Sequence, residues 1–352
     1  MFAAIGIQAG RTATVLIIMA SLAGAARAAE VKSSAPGEWE RTVEAAKKEG
    51  KLSVYLWHGS DLEKVVQLFE KKYPDIAIEV YRGGSTDLGP RLMNEAQAGR
   101  FVADALESTP GLLMLLRERG ILKPYISPEL SRYPDEAKTK SDGARVYWVT
   151  DREAYLGFGY NTKMIPAADV PKNFQDLLRP ELKGKLAVTT ESSTSRVIGS
   201  MIKTKGEEFV KRLQAQEIRM FKASSAGFHD LIAAGEVAGS FVVFRNQVAV
   251  MKERRAPVEW VPLDVAPANA GGSAIIANAP HPHAALLFTD FVIGADGQKL
   301  MEQFRYGVAW KDYPFKRDYP ERGMTSAEYE KNEDKWLQLT RAITKRQGGD
   351  RF

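Results

Sequence analysis

The spacing of hydrophobic residues changes from period two to helical spacing and back between residues 52 and 80. Apolar and polar residues alternate from Leu52 to Leu56, as in a strand with one buried face. Apolar residues then recur at helical spacing from Leu62 to Tyr73, and alternation returns from Ile76 to Val80. Ser60 and Glu63 have the spacing of a helix capping box. The pattern predicts a strand, a helix and a second, parallel strand joined by a right-handed crossover.

The same change between strand and helix patterns continues along the rest of the chain. Further strands are predicted at 147–149, 155–160, 186–189, 218–221, 241–244, 258–261 and 274–277. Helices are predicted at 39–48, 112–116, 197–202 and 284–292, and a final amphipathic helix follows Thr325. Strands that alternate with helices in this way predict an α/β fold with mostly parallel sheets.

Residues 1–28 have the three parts of a secretory signal peptide. Arg11 provides a basic start, residues 12–26 are uncharged with an apolar centre, and the small residues Ala26 and Ala28 mark the exit. The apolar centre is too short for a membrane span. We therefore expect cleavage after Ala28 and export to the periplasm.

Composition limits both the possible folds and the chemistry that the side chains can perform. A chain of 352 residues with 44% hydrophobic residues is too long for one compact core, so two lobes are expected. The absence of cysteine excludes disulfides, thiolate catalysis, zinc ribbons, iron–sulfur clusters and a lipoprotein anchor. The formal charge of +5 comes from 49 basic and 44 acidic residues spread along the chain, so we expect no nucleic-acid partner.

The sequence contains no complete catalytic motif. Gly271 and Ser273 fit a nucleophile elbow whose last glycine is missing, and no phosphate loop, zinc-protease helix or calcium loop is found. We therefore expect a binding protein without a cofactor. Two alternatives stay open. One is an exported α/β enzyme that uses Glu107, His58 or Glu191 as acid or base. The other is the effector-binding domain of a regulator, but the export signal argues against it.

Residues 159–188, GYNTKMIPAADVPKNFQDLLRPELKGKLAV, carry several short motifs in a fixed order. The motifs are YNT at 160–162, DLL at 176–178 and PELKGK at 180–185. In this order they resemble the periplasmic solute-binding proteins of ABC transporters, in the group that contains the ferric-iron binders. The resemblance extends over nearly all of residues 37–310. It is specific for the family and says little about the ligand.

The resemblance implies a two-lobed type II periplasmic binding protein with a two-strand hinge and a ligand cleft between the lobes. We place lobe 1 at 29–152 plus 272–310, lobe 2 at 153–271, and a docked helical tail at 311–352. The hinge strands are expected near 152–160 and 272–277. The implied partners are a small-molecule ligand and an inner-membrane permease with its ATPase, and we expect a monomer.

Ferric binders of this group hold the metal with a His or an acid near the first strand and with two adjacent tyrosines of the second lobe. His58 and Glu107 lie near the first position. The place of the tyrosine pair reads FVVFRNQ at 241–247 and contains no tyrosine. An arginine cannot ligate a metal, because it stays protonated. We therefore expect no resident metal, and ferric iron remains the alternative ligand.

Arg245 within that segment suggests a ligand of negative charge, because a guanidinium pairs bidentately with a carboxylate or a phosph(on)ate. A second anion seat is predicted where residues 189–196, TTESSTSR, lead into a helix. For single serines of this segment, simple helix capping is an equally good interpretation. The candidate ligand residues of the second lobe are Tyr160, Ser192, Ser193, Ser195, Arg196, Phe244 and Arg245.

In the first lobe, loops at the carboxyl ends of three strands are expected to face the ligand. The candidates there are Trp57, His58, Ser60, Ser85, Thr86, Glu107 and Ser108. Glu107 would receive an amine of the ligand or pair with a basic neighbour. The sequence thus predicts a periplasmic substrate-binding subunit of an ABC importer that captures a small anionic or zwitterionic organic solute.

Overall fold

The structure is a computed structural model that describes residues 37–57 and 61–345. The predicted signal peptide and the candidates His58 and Ser60 lie outside the described residues. Within them, no helix is both long and apolar enough to cross a membrane.

The described residues form eleven α-helices, which are α1 (Glu38–Glu49), α2 (Leu62–Lys72), α3 (Ser85–Gln97), α4 (Pro110–Glu118), α5 (Ser192–Lys205), α6 (Glu207–Arg212), α7 (Ser225–Ala234), α8 (Arg245–Glu253), α9 (Pro282–Ile293), α10 (Ala295–Gln303) and α11 (Ser326–Ile343).

The same part of the chain forms thirteen strands, which are β1 (Lys51–Trp57), β2 (Ala77–Gly83), β3 (Ala105–Ser108), β4 (Leu122–Lys123), β5 (Lys138–Lys140), β6 (Val146–Asn161), β7 (Ala187–Thr189), β8 (Ile218–Phe221), β9 (Gly239–Phe244), β10 (Val258–Val261), β11 (Ala266–Ile276), β12 (Arg317–Asp318) and β13 (Thr344–Lys345). Ten of them form one sheet, and β7, β8 and β13 form a second.

The predicted crossover at the start of the fold is confirmed. β1 pairs in parallel with β2, with Lys51 opposite Ala77, and α2 connects them. α1 ends where Gly50 takes a left-handed φ of 66°, which costs glycine no steric clash. α2 begins after Asp61, and the predicted cap Ser60 lies outside the described residues.

Two long strands, β6 and β11, connect the two halves of the fold. β6 is 16 residues long. Its first half pairs with β5 and β11, and its second half pairs with β9 and β10. The sequence pattern predicted two separate segments there, at 147–149 and 155–160, whereas the structure has one continuous strand. Among the named strands, every antiparallel pair involves β6 or β11, so each half keeps the expected parallel strands.

The first half of the fold packs helices on both faces of its strands. Leu52, Val54 and Leu56 of β1 are buried against α1, α2 and α9. At the centre of this core the Phe69 ring of α2 lies edge-on to the Phe288 ring of α9, at 5.3 Å between centroids. Ser53 and Tyr55 on the other face of β1 are buried as well, so both faces of the strand are buried, and this burial is the dominant source of stability for such a strand.

The C-terminal segment contacts both halves of the fold. α11 begins with a capping box between Thr325 and Glu328. It packs on α5, where a Cβ added at Gly199 would lie 2.7 Å from the Trp336 ring. It also packs on α4, where a Cβ added at Gly111 would lie 3.1 Å from the Tyr329 ring. The segment thus touches one helix from each predicted lobe. The lobe boundaries themselves stay predictions.

Candidate functional site

The first-lobe candidates that the structure describes lie together at one edge of the sheet. Trp57 at the end of β1 is opposite Gly83 of β2, and the preceding Leu56 is opposite Glu107 of β3. The Ser85 hydroxyl lies 3.2 Å from the Thr109 hydroxyl, so the segment after β2 contacts the segment after β3. Carboxyl ends of parallel strands are where open α/β sheets bind ligands.

Two details differ from the sequence prediction at this edge. Ser85 and Thr86 are the first residues of α3, a helix that the sequence pattern did not predict, and not part of a loop. Glu107 and Ser108 are almost completely buried, at 1% and 0% exposed. The candidates are close together, but only part of the set can reach a ligand directly.

Glu107 pairs with a basic neighbour, the second of the two roles considered for it. Its carboxylate accepts a hydrogen bond from Arg152 of β6 at 2.9 Å, and both side chains are 2% exposed or less. The guanidinium carbon lies 5.0 Å from the centroid of the Trp57 ring and 5.8 Å from that of Tyr306. A Cβ added at Gly271 would lie 2.5 Å from the Glu107 carboxylate, so this position needs glycine.

Sequence reasoning missed Arg152 as a site residue. The available signal is the run Asp151, Arg152 and Glu153 at the start of the predicted crossing segment, since charged residues are buried only when they are paired. Asp151 accepts a hydrogen bond from Ser273 at 2.6 Å. Burial, with a smaller contribution from the charge of Glu107, raises the pKa of the Asp151 carboxyl. The floor of the site thus contains two buried polar pairs, Glu107 with Arg152 and Asp151 with Ser273, in which Asp151 Oδ1 and Arg152 Nε have no hydrogen-bond partner among the described residues.

Burial also acts on several tyrosines of the fold, of which Tyr306 lies beside Arg152. It raises the pKa of Tyr306 to about 12 and that of Tyr55 to about 12, and it raises the pKa of Tyr155 and Tyr160. A raised pKa keeps each phenol neutral. In residues 37–57 and 61–345, no group of three or more His, Asp or Glu side chains could hold a metal ion.

The serine segment of the second lobe lies inside a helix. α5 begins at Ser192, five residues earlier than predicted, so that the serines occupy its first turns. Ser192 is exposed, whereas Ser193 and Ser195 are buried. The Thr194 hydroxyl donates to the Thr189 carbonyl at 2.8 Å. Only Ser192 among these candidates presents its side chain to solvent.

Arg196 does not present a free charge. Its guanidinium is buried and donates to the Glu321 carboxylate, and it donates to the Tyr329 hydroxyl at 3.1 Å. It also donates to the Ala268 carbonyl at 3.4 Å. The helix start that suggested an anion seat therefore has its cation neutralised by the C-terminal segment.

Arg245 has a different environment. It is the first residue of α8 and is half-buried. Its guanidinium carbon lies 5.6 Å from the Tyr313 ring centroid and 5.9 Å from the Phe315 ring centroid. Within residues 37–57 and 61–345, no salt bridge joins Arg245 to an acid. The side-chain oxygen of the next residue, Asn246, is buried without a hydrogen-bond partner.

Phe244 and Tyr160 are packing residues. The Phe244 amide donates to His229 Nε2 at 3.0 Å, and the two rings stack with centroids 6.0 Å apart. Burial lowers the pKa of His229, which keeps the imidazole neutral and able to accept this bond. Tyr160 is 8% exposed and stacks on Phe158. Neither candidate offers a polar group to a solute at these contacts.

The family model for "Bacterial extracellular solute-binding protein" matches residues 64–333. At the level of single proteins, the chain is 26% identical over 284 residues to an uncharacterised protein of Haemophilus influenzae. That match covers 76% of this chain and 77% of the relative.

Two solved structures share the fold. Iron-bound HitA from Pseudomonas aeruginosa superimposes with a TM-score of 0.66 at 20% identity, covering 83% of this chain and 99% of HitA. The periplasmic binding protein AfuA from Actinobacillus pleuropneumoniae, with fructose-6-phosphate bound, gives a TM-score of 0.65 at 22% identity and the same coverages. One fold thus holds a metal ion in one protein and a sugar phosphate in the other, so the fold alone does not select the ligand.

Proposed function

The chain belongs to the bacterial extracellular solute-binding protein family, and we propose that it serves an ABC importer as the periplasmic substrate-binding subunit. Its ligand is a small anionic or zwitterionic organic solute, held between the two lobes. In this proposal residues 1–28 direct export and are removed. The mature monomer carries no lipid anchor and delivers its ligand to an inner-membrane permease and ATPase.

The observation that carries the anionic class is that Arg245 forms no salt bridge within residues 37–57 and 61–345. A cation at the N-terminus of a helix opposes the helix dipole, at a cost of about 0.3 to 1 kcal/mol. An anion bound there would meet both the guanidinium and the free amides of the first turn of α8. Each charge-assisted hydrogen bond is worth on the order of 1.5 to 3 kcal/mol.

An amine on the ligand would be received by Asp61 in the same proposal. Glu107 is already paired with Arg152 in the floor of the site. Asp61 is exposed at the start of α2, and, after burial, its negative charge contributes to the raised pKa of Tyr306. A carboxylate near the first lobe and a guanidinium on the second would together select a zwitterion.

The proposed ligand residues keep part of the sequence candidates and add two residues. Those left out have polar groups that are neutralised or buried, and they are Tyr160, Glu107, Ser108, Ser193, Ser195, Arg196 and Phe244. The retained residues are Trp57, His58, Ser60, Ser85, Thr86, Ser192 and Arg245, together with the newly recognised Asp61 and Tyr306.

A thermal-shift screen of the purified mature chain tests this function. The panel contains metal ions, carboxylates, phosphonates, sugar phosphates and polyamines. We expect an anion to raise the melting temperature, and Arg245→Met to remove that shift. Arg254→Met, which removes an exposed arginine at the other end of α8, is the matched control and should keep the shift. Stabilisation by a cation alone would contradict the anionic class.

Ferric iron is the alternative, since a structural neighbour is described as iron-bound. His58 and Glu107 would then contribute ligands. Adding ferric salt to the same protein should produce a tyrosinate-to-iron absorption band if this alternative holds, and no band if the ligand is an organic anion. Turnover of a stabilising compound would instead point to an exported enzyme.

A further inference from the structure

We infer that Tyr313 and Phe315 position the Arg245 guanidinium for the anionic group of the ligand. Both residues belong to the C-terminal segment, which the sequence placed outside the two lobes. The inference rests on the proposed function, because it assumes that Arg245 binds the ligand. It makes the C-terminal segment part of the ligand site.

The aromatic stack, formed by Tyr155, Tyr313 and Phe315, is fixed by several contacts. The Tyr313 and Phe315 rings stack on each other with centroids 5.3 Å apart and an angle of 24° between the planes. The Tyr155 ring of β6 meets both of them edge-on, at 5.0 Å in each case. The Trp260 ring lies 5.7 Å from Phe315, and the Tyr313 hydroxyl accepts a hydrogen bond from the Val308 amide at 2.9 Å. The stack therefore offers a rigid surface.

Two arginines lie over the Tyr313 ring, and among the described residues only Arg317 is paired with an acid. Arg317 lies 5.9 Å from its centroid and forms an ion pair with the buried Glu153 at 3.3 Å. The Glu153 carboxylate also accepts hydrogen bonds from the Tyr155 and Tyr319 hydroxyls. Its acceptor positions are thus used within the fold. Arg245 shares the rings but has no acid of its own among the described residues.

A guanidinium within about 6 Å of ring centroids is attracted by the negative faces of the rings. That attraction leaves the N–H groups of the guanidinium available to donate to an oxyanion. A flexible arginine must be ordered when it binds, whereas a positioned one has already lost that freedom. The stack would therefore increase affinity without touching the ligand.

The test uses the full mature chain and two probes, inorganic phosphate and succinate, in isothermal titration. Phe315→Leu removes one ring and should weaken binding of the better probe by about 3- to 30-fold. Phe315→Tyr keeps an aromatic face and should bind within about twofold of the wild type. Should Phe315→Leu fail to fold, Tyr313→Leu serves as the second variant, with the same expected loss.

A second measurement needs no ligand. The heteronuclear NOE of the Arg245 Nε–H group, assigned by its disappearance in Arg245→Lys, should report a rigid side chain in the wild type and a mobile one in Phe315→Leu. Unchanged NOE and unchanged affinity in Phe315→Leu would overturn the inference. If Arg245→Met loses binding at the same time, the proposed function stands. A wild type that binds neither probe, or an Arg245→Met that binds like it, overturns both.

Discussion

Arg196 and Arg245 occupy similar positions in their helices but have different surroundings in the structure. Each lies in the first turns of a helix that follows a strand of the second lobe, and each was a candidate ligand residue. The C-terminal segment reaches both, but it supplies Glu321 and Tyr329 to Arg196 and two aromatic rings to Arg245. The first arginine is buried and paired with an acid, whereas the second has no acidic partner in the part of the chain that the structure describes.

The difference shows that a basic residue at a helix start becomes a ligand residue only if the fold leaves it without an acid. Glu321 lies 125 positions from Arg196 in the sequence. Local pattern cannot reveal such a partner. We therefore assign Arg196 to the stability of the fold and Arg245 to ligand binding, and the following predictions test that division.

Arg196→Met has the largest expected effect on stability. It leaves the Glu321 carboxylate buried without its cation, and breaking a buried ion pair in this way costs about 3 to 5 kcal/mol. The free energy of unfolding, measured by urea titration, should fall by that amount. The double variant Arg196→Met with Glu321→Met removes both charges and should recover much of the loss. A double variant as unstable as the single one would show that packing, and not charge, dominates at this position.

Gly199→Ala tests the packing of the C-terminal segment on the same helix. The new Cβ would lie 2.7 Å from the Trp336 ring, closer than real contacts allow. We expect a loss of about 1 to 3 kcal/mol, because overpacking outweighs the helix propensity gained from alanine. Gly227→Ala in α7 is the matched control, since its nearest contact would be an ordinary 3.5 Å. Equal stability of the two variants would argue against close packing of Trp336 on α5.

Local patterns were sufficient for most strands and for the family. β1, α2 and β2 follow directly from hydrophobic spacing, and the motifs of residues 159–188 indicated the fold. α3 was missed because Gly89 and Pro90 lie inside it and are poor helix formers. The apolar pattern predicts two segments in place of β6, because three charged residues interrupt it. Burial by partners distant in sequence overrides both local signals.

The site was predictable only where it follows from topology. Parallel strands bring Trp57, Ser85 and Glu107 to one edge whatever their side chains do. The pairing of Glu107 with Arg152, and that of Arg196 with Glu321, depends on contacts between segments far apart in the chain. No pattern of spacing within one element contains that information.

Glu333 offers a smaller, pH-dependent test of the Arg196 region. Burial raises the pKa of Glu333, and the charge of Arg196 opposes this in part. The folded state therefore binds a proton more readily than the unfolded state, so this residue makes the protein more stable as the pH falls through the raised pKa and less stable as it rises. We expect Glu333→Gln to lack this contribution. Between about pH 4.5 and 7.5, any excess of the wild-type melting temperature over that of the variant should shrink as the pH rises, or the variant should become the more stable protein at high pH. A difference that stays constant with pH would contradict the raised pKa.

Arg245→Met has the smallest expected effect on stability, and that small effect is the sharpest test of the comparison. The substitution removes a cation from a helix N-terminus, a gain of about 0.3 to 1 kcal/mol, and it removes a cation–π contact worth about 0.5 to 1 kcal/mol. The two terms oppose each other, so the free energy of unfolding should stay within about 0.5 kcal/mol of the wild type. Urea titration of Arg245→Met and Arg196→Met under the same conditions measures the difference in their free energies of unfolding directly. A loss as large as that of Arg196→Met would mean that Arg245 also stabilises the fold. A residue that can be removed without cost to the fold, and that removes anion binding when it goes, is held in place for its ligand.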